Sequence, residues 1–264
     1  MPLIRSLTLR QQFGLLLLTL LALFALTEAF FFSLDPNQQN LTNTFKLPGA
    51  SHWLGTDQFG RSMLARLATG LQISFALAFI CVATSACLGV LAGVAAAWYR
   101  GWLDGILNFV ANTILALPGL VLILLFAALI PGSFIMLYLA ISVVLWVEYF
   151  RLVRSLSLAV VNSPQLQSSV LMGFGKWYLF RRHIWPSLAA DVYSLAAFGS
   201  ATAIIAMSSV GFVYVGLKPP TPELGLMIVE LFPYYHEAPW LLAEPIILLF
   251  LMVLGFQLLG GKSS

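Results

Sequence analysis

The residue types most often used in catalysis and metal binding are scarce in this chain of 264 residues. Its two cysteines, Cys81 and Cys87, are six positions apart, which does not fit a Cys-x-x-Cys metal or redox motif. The three histidines, His52, His183 and His236, lie in separate segments between apolar runs. This arrangement predicts two buried thiols and no metal site.

The end of the chain, Leu-Gly-Gly-Lys-Ser-Ser, contains the Gly-Lys-Ser of a phosphate-binding loop without its spacing. The G-x-x-x-x-G-K-S pattern requires glycine at position 256, which is Phe256. Motifs of the G-x-S-x-G and H-E-x-x-H types are also absent from the sequence. We therefore expect a protein that is not an enzyme, binds no cofactor directly and has no ATPase site of its own.

A polar segment, residues 162–186, interrupts the apolar sequence and carries four basic residues. Ser163 followed by Pro164 is a favourable helix start, and Gly173 and Gly175 can end the helix. The predicted helix has about nine or ten residues, too few to cross a membrane or to be stable alone. Either it docks on a cytoplasmic partner or it is an ordinary connection between two membrane spans.

The elements that must position this segment are membrane helices. Hydrophobic residues make up 60% of the chain and charged residues 9%, which leaves too little polar surface for a soluble globule. Apolar runs of about 20 residues predict an all-α polytopic protein rather than a barrel. Six spans are expected, at 12–33, 71–98, 104–130, 134–152, 191–215 and 240–260.

The positions of lysine and arginine predict the orientation of these spans. With the N-terminus in the cytoplasm, nine basic residues lie inside (Arg5, Arg10, Arg100, Arg151, Arg154, Lys176, Arg181, Arg182 and Lys262) and four outside (Lys46, Arg61, Arg66 and Lys218). The net charge of +3 therefore reflects topology and contact with anionic lipid, not nucleic-acid binding. The first span is expected to remain as an anchor, because no signal-peptide cleavage site follows its long apolar core.

Two segments on the predicted outer side have sequences that predict their local structure. Gly55-Thr56-Asp57 predicts a capped turn, after which Arg61 is expected to snorkel along the membrane interface. This stretch either anchors the second span or contacts a partner. Prolines within 218–222 exclude a regular helix and predict an outside loop.

Polar residues within or near the spans are candidates for a transport path. They are Glu28, Asn108, Asn112, Glu148, Glu244 and Gln257. For Glu28 and Glu148 an interfacial position is favoured over a path-lining one. Pro118 is expected to bend the third span, and Gly89 and Gly93 to permit close packing of the second.

The 162–186 segment resembles the cytoplasmic "EAA" loop of ABC importer permeases. The pattern is Glu-Ala-Ala, three residues, Gly, nine residues, Ile, one residue, Leu-Pro, and it falls on Gln167, Ser168, Ser169, Gly173, His183, Trp185 and Pro186. Glycine and proline match, whereas glutamine replaces the acidic residue. In the family this loop forms a coupling helix that inserts into a groove of the ATPase subunit.

Two further segments resemble the peptide and nickel branch of these permeases. Leu54 to Arg61, LGTDQFGR, looks like its LGTDxxGRD signature, with Ser62 in place of the final aspartate. Gly216 to Glu223, GLKPPTPE, matches the segment expected before the last span. The resemblance implies contacts with a partner or a gate on the outer side, with Gly55, Asp57, Arg61, Pro219, Pro220 and Glu223 as candidates.

The resemblance implies one transmembrane domain over 1–264, with a core at about 71–260 and the anchor at 12–33. Expected partners are a second permease subunit, two ATPase subunits that bind ATP and Mg²⁺, a periplasmic or lipid-anchored binding protein, and membrane lipid. The expected activity is import of di- or oligopeptides across the bacterial inner membrane. Nickel or a metallophore complex is the alternative substrate; a secondary transporter and a structural scaffold are less favoured.

Overall fold

The computed structural model describes residues 8–28, 30, 34–50 and 52–261 of the chain. All regular elements in these residues are helical, apart from an isolated bridge between Thr56 and Ser62. The α-helices are α1 Leu9–Thr27, α2 Met63–Tyr99, α3 Gly101–Ile114, α4 Gly119–Leu129, α5 Phe134–Val161, α6 Pro164–Leu171, α7 Lys176–Leu179, α8 Trp185–Phe212, α9 Leu224–Leu231 and α10 Pro239–Gly260. Leu41–Asn43 and Phe232–Tyr234 form 3₁₀ turns, and a π turn, Phe180–Ile184, joins α7 to α8.

Helix length and composition support five membrane crossings within the described residues, and a sixth if one bent pair of helices counts as a single span. The segments α1, α2, α5, α7 to α8, and α10 are each long and apolar enough to span a bilayer. Helices α3 and α4, with 14 and 11 residues, are each too short to span and qualify only as a pair, which is bent by 80°. The predicted all-α polytopic fold is therefore confirmed.

The third predicted span, 104–130, is divided into two helices, α3 and α4. The helix stops at Ile114 and restarts at Gly119, with Pro118 as the N-cap of α4. Proline lacks an amide hydrogen and forces the preceding residue into extended backbone, so a helix cannot run straight through this point. The expected bend at Pro118 is confirmed as a break between two helices.

Several helices extend well beyond the predicted spans. Helix α2 begins at Met63 instead of 71, α5 ends at Val161 instead of 152, and α8 begins at Trp185 instead of 191. Hydropathy marks only the part of a helix inside the bilayer, whereas backbone hydrogen bonds continue wherever the flanking residues permit them. The polar connections are correspondingly shorter than predicted.

The first predicted span, 12–33, corresponds to α1, which starts three residues earlier. Thr8 caps this helix: its hydroxyl accepts a hydrogen bond from the Gln11 amide, and the Gln11 side chain accepts one from the Thr8 amide. Positions 29 and 31–33 lie outside the described residues, as do Arg5 and Lys262 of the predicted cytoplasmic charges.

Helix α2 is the central element of the bundle and packs along α5, with α8 and α1 also against it. The contact with α5 is close at Gly89, where an added Cβ would lie 2.3 Å from the Cβ of Tyr149. A side chain at Gly93 would likewise press on Val153, at 2.9 Å. The small residues of α2 therefore permit the close packing predicted for them.

Candidate functional site

The 162–186 loop contains the short helix predicted for it. The Ser163 side chain accepts a hydrogen bond from the Leu166 amide, and Pro164 occupies the first turn of α6. Gly173, two residues after the end of α6, adopts a left-handed backbone conformation with a φ of 84°, which stops the helix from continuing. Sequence and structure agree on both ends of the helix.

A polar contact ties α6 to the second half of the loop. The Ser169 hydroxyl lies 3.0 Å from Nε2 of His183 and donates to the Gln165 carbonyl oxygen, also at 3.0 Å. Because a hydroxyl can both donate and accept, Ser169 bridges the Gln165 carbonyl oxygen and the His183 ring. His183 also meets the edge of the Tyr178 ring. Positions 169 and 183, both departures from the family pattern, therefore form one contact inside the loop.

Most of α6 faces away from the helix bundle. Leu166 is buried and holds α6 against the rest of the chain. Gln167 and Ser168 are exposed, as is Pro186 at the start of α8. At the end of α6, Leu171 is 89% exposed and Met172 is 74% exposed. Leu171 and Met172 therefore form a small exposed apolar patch on an otherwise polar loop.

At the other end of α2, the 55–61 segment folds into a tight turn. Gly55 adopts a φ of 76°, and a Cβ there would lie 2.5 Å from the Lys46 carbonyl oxygen. The Asp57 carboxylate accepts hydrogen bonds from the amides of Phe59 and Arg61, each at 2.9 Å. The predicted turn is thus present, with aspartate as its internal cap.

Four charged side chains meet beneath this turn, and we call them the charge cluster: Asp57, Arg61, Arg66 and Glu230. Asp57 pairs with Arg61 and lies 3.4 Å from the Arg66 guanidinium. Arg66 donates to Glu230 at 2.7 Å, and Arg61 lies 3.6 Å from the same carboxylate. Two negative and two positive charges balance, as burial requires.

The expectation that Arg61 snorkels along the interface was wrong. Arg61 is 2% exposed and Asp57 is 1% exposed. The carboxylates of Asp57 and Glu230 compensate the guanidinium inside the protein, so it has no need to reach water. Neither Asp57 nor Arg61 can be a direct surface contact for a partner; the pair instead joins the turn to α2 and α9.

The candidates of the 219–223 segment divide into exposed and buried residues. Pro219 and Pro220 are exposed in the expected loop, where the Pro220 carbonyl oxygen lies 3.5 Å from the Arg66 guanidinium. Glu223 is buried at the N-cap of α9. Its carboxylate accepts from the Ser208 hydroxyl and from the amides of Gly225 and Leu226. Burial raises the pKa of Glu223, while these hydrogen bonds oppose the shift.

Sequence reasoning missed helix α9 and its role. Glu223 fixes its start against α8, and Glu230 fixes its other end to the charge cluster. Glu230 and Arg66 are separated by 164 positions, so no local signal could pair them. The eight residues of α9 are also too few to give a span-length hydropathy signal.

A second ion pair that the sequence did not indicate joins α3 to α5. The Arg154 guanidinium donates to both carboxylate oxygens of Asp104, and the Asn108 side chain also donates to Asp104. One helical turn away, Arg151 donates to the Asn112 side chain at 2.8 Å. The two asparagines therefore bind polar partners on this face.

The remaining polar residues that were candidates for a transport path do not lie together at one site. Glu28 is buried at the end of α1, where its carboxylate accepts from the Leu34 amide. Glu148 is exposed on α5, and one Glu244 carboxylate oxygen on α10 is buried without a hydrogen-bond partner. In the described part of the chain, no three histidine, cysteine or acidic side chains lie together as metal ligands would.

The helix bundle, the 162–186 loop and the charge cluster define a class: a multi-pass α-helical membrane protein with an exposed polar loop at one end and a buried ionic network at the other. Comparison with known families identifies it further. Residues 87–261 match the family described as the binding-protein-dependent transport system inner membrane component. The chain belongs to this family.

Curated relatives cover most of the chain. It is 33% identical over 254 residues to a dipeptide transport system permease protein of Haemophilus influenzae, covering 94% of this chain and 86% of that protein. A glutathione transport system permease protein of Pectobacterium atrosepticum is 30% identical, with 81% of this chain and 71% of that protein covered. A probable D,D-dipeptide permease protein of Escherichia coli is also 30% identical, covering 86% and 76%. The resemblance inferred from the loop and the outer motifs is confirmed.

Proposed function

We propose that this chain is one half of the translocation pore of an ABC importer that carries di- or oligopeptides into the cell. Family membership and the relatives named for dipeptide and glutathione transport support this substrate class. We place the chain in the bacterial inner membrane with its N-terminus and the 162–186 loop in the cytoplasm, in keeping with the distribution of its basic residues. The pore is completed by a second, homologous permease subunit.

The observation that carries the proposal is the exposed apolar end of α6. Leu171 and Met172 project from a polar loop, beside the half-exposed Phe174. Burying such side chains in a groove of an ATPase subunit would stabilise the complex by about 1.5 to 3 kcal/mol for a fully buried leucine. Gln167 is neutral where the family pattern has glutamate, so this position offers hydrogen bonds but no ion pair to the ATPase subunit.

The mechanism assigns no chemistry to the chain itself. Two partner ATPases bind ATP and Mg²⁺ and change their separation as they hydrolyse ATP, while a periplasmic or lipid-anchored binding protein delivers the peptide. Motion of the ATPases acts on α6, and the Ser169 to His183 contact transmits it to α8. The membrane helices then alternate between outward-open and inward-open arrangements.

The test is ATP-dependent uptake of a labelled dipeptide by vesicles that contain the assembled transporter. Leu171→Asp should abolish uptake and ATPase binding, because the new carboxylate would be buried at the interface without a partner. Gln165→Ala is the matched control on the same helix, since Gln165 is exposed in the first turn of α6 and lies outside the family pattern. It should retain uptake.

Two results would contradict the proposal. Native uptake by Leu171→Asp would show that the end of α6 does not contact the ATPase. Uptake by this chain without ATPase subunits would instead support a secondary transporter. A parallel assay with nickel and a nickel chelate distinguishes the peptide substrate from the metal alternative without affecting either conclusion.

A further inference from the structure

A groove runs along the surface of the molecule between the end of α2 and α7. Its volume is about 310 Å³. One wall is the α2 face formed by Val90, Leu91, Val94 and Trp98; the other includes Trp177 and Phe180. Nearly all of this lining is apolar. The proposed function makes no use of this groove.

The cationic end of the groove is formed by Lys176 and Tyr99. The Lys176 ammonium donates to the Tyr99 hydroxyl at 2.9 Å and lies 4.7 Å from the centre of the same ring. Both side chains line the groove, and the hydrogen bond between them is exposed. The 162–186 loop contains no acidic residue that could neutralise this charge. An ammonium beside a hydroxyl is a suitable donor pair for a phosphate oxygen.

The position and length of the groove match one leaflet of a bilayer. Trp98, Tyr99 and Trp177 cluster at its cationic end, as aromatic residues do at the boundary between hydrocarbon and headgroups. From Tyr99 to Val90 the helix rises about 14 Å, roughly half of a hydrocarbon core of about 30 Å. At Val90 and Leu91 the groove continues into a larger apolar cavity of about 740 Å³ between α2, α8 and α10.

We infer that this groove binds an anionic phospholipid, with its headgroup phosphate on Lys176 and Tyr99 and an acyl chain along α2. Charge complementarity selects the anionic headgroup, and the apolar walls select the chain. The site requires only that α7 lies at a membrane interface, so it does not depend on the transported substrate.

The test is native mass spectrometry of the purified full-length chain titrated with phosphatidylglycerol or with phosphatidylcholine of the same acyl chains. Phosphatidylglycerol should be retained several-fold more, and Lys176→Ala should reduce its retention about fivefold, the contribution of one lysine at an anionic surface. Arg182→Ala is the matched control, because this exposed cation belongs to the same segment but does not line the groove. It should change retention less than twofold.

Further variants and ligands separate the possible occupants. Ala95→Trp should reduce retention of both lipids, because Ala95 lines the groove and a larger side chain would fill it. Equal losses of phosphatidylglycerol retention in Lys176→Ala and Arg182→Ala would indicate diffuse electrostatic attraction and overturn the inference, as would unchanged lipid binding in Ala95→Trp.

Displacement of the lipid by inorganic phosphate would assign the headgroup end to free phosphate. Loss of the lipid when the ATPase subunits assemble would assign the groove to a protein contact.

Discussion

The charge cluster makes a quantitative prediction for Asp57→Asn. Asparagine keeps an oxygen that can accept from the Phe59 and Arg61 amides, so the turn retains its local hydrogen bonds. The lost charge, however, leaves Arg61 and Arg66 with Glu230 as the remaining anion in the cluster. Breaking a buried ion pair from one side costs about 3 to 5 kcal/mol. For a chain of this size, about 3 kcal/mol corresponds to a fall of roughly 6 °C or more in melting temperature.

Thermal melting of the detergent-purified protein measures this effect. Asp35→Asn is the matched control, because Asp35 is exposed and its carboxylate likewise accepts from a nearby backbone amide, that of Asn37. Its melting temperature should change little, as for most surface substitutions. An equally small change in Asp57→Asn would refute the reasoning.

A double variant separates charge balance from local damage. Adding Arg66→Gln to Asp57→Asn leaves one cation, Arg61, with one anion, Glu230. Its cost should therefore be smaller than the sum of the two single costs, by about 0.5 to 3 kcal/mol. Strict additivity would mean that the four side chains do not act as a unit.

Three further substitutions probe other contacts. Gly225→Ala should lower the melting temperature, because its Cβ would lie 2.3 Å from the Ser208 carbonyl oxygen, whereas Gly105→Ala, with open space around it, should not. Burial raises the pKa of Glu223 above its ordinary value near 4.5, so stability should fall as pH rises from about 4.5 through the raised pKa. Glu223→Gln should flatten that fall, which melting curves at acid and neutral pH would show. Asp104→Asn should cost less than about 1 kcal/mol, because the Asp104 and Arg154 side chains are 20% and 28% exposed; a loss as large as that of Asp57→Asn would contradict this.

Local sequence rules predicted the features that depend on neighbouring residues. Ser163 and Pro164 start α6, and Pro118 breaks the third span, because capping and the missing proline amide act within a few positions. Apolar length alone predicted the five long spans and the region of the bent α3–α4 pair. Helix ends were less predictable, as Met63 shows, because α2 continues past the residues that hydropathy assigns to the bilayer.

The charge cluster shows what a single sequence could not supply. Asp57 was predicted as a possible cap of an outer turn and Arg61 to snorkel at the membrane interface, because a turn and a long cation normally lie near water. Their burial depends on Glu230, which tertiary packing brings from a helix near the other end of the chain. This long-range pairing buries side chains that local sequence rules place near water. No pattern within residues 54–66 indicates that Glu230 lies beside them.

Helix α2 has a mechanical consequence that follows from its 37 residues without a break. At 1.5 Å per residue it is a rod of about 55 Å, with the charge cluster near its first turn and Tyr99, which contacts Lys176 of the 162–186 loop, at its last. A tilt of about 5° around its midpoint would displace each end by about 2 Å in opposite directions. A rigid tilt of this kind connects the two ends of α2 without successive side-chain rearrangements. A displacement of the 162–186 loop would therefore produce a displacement of comparable size at Arg66.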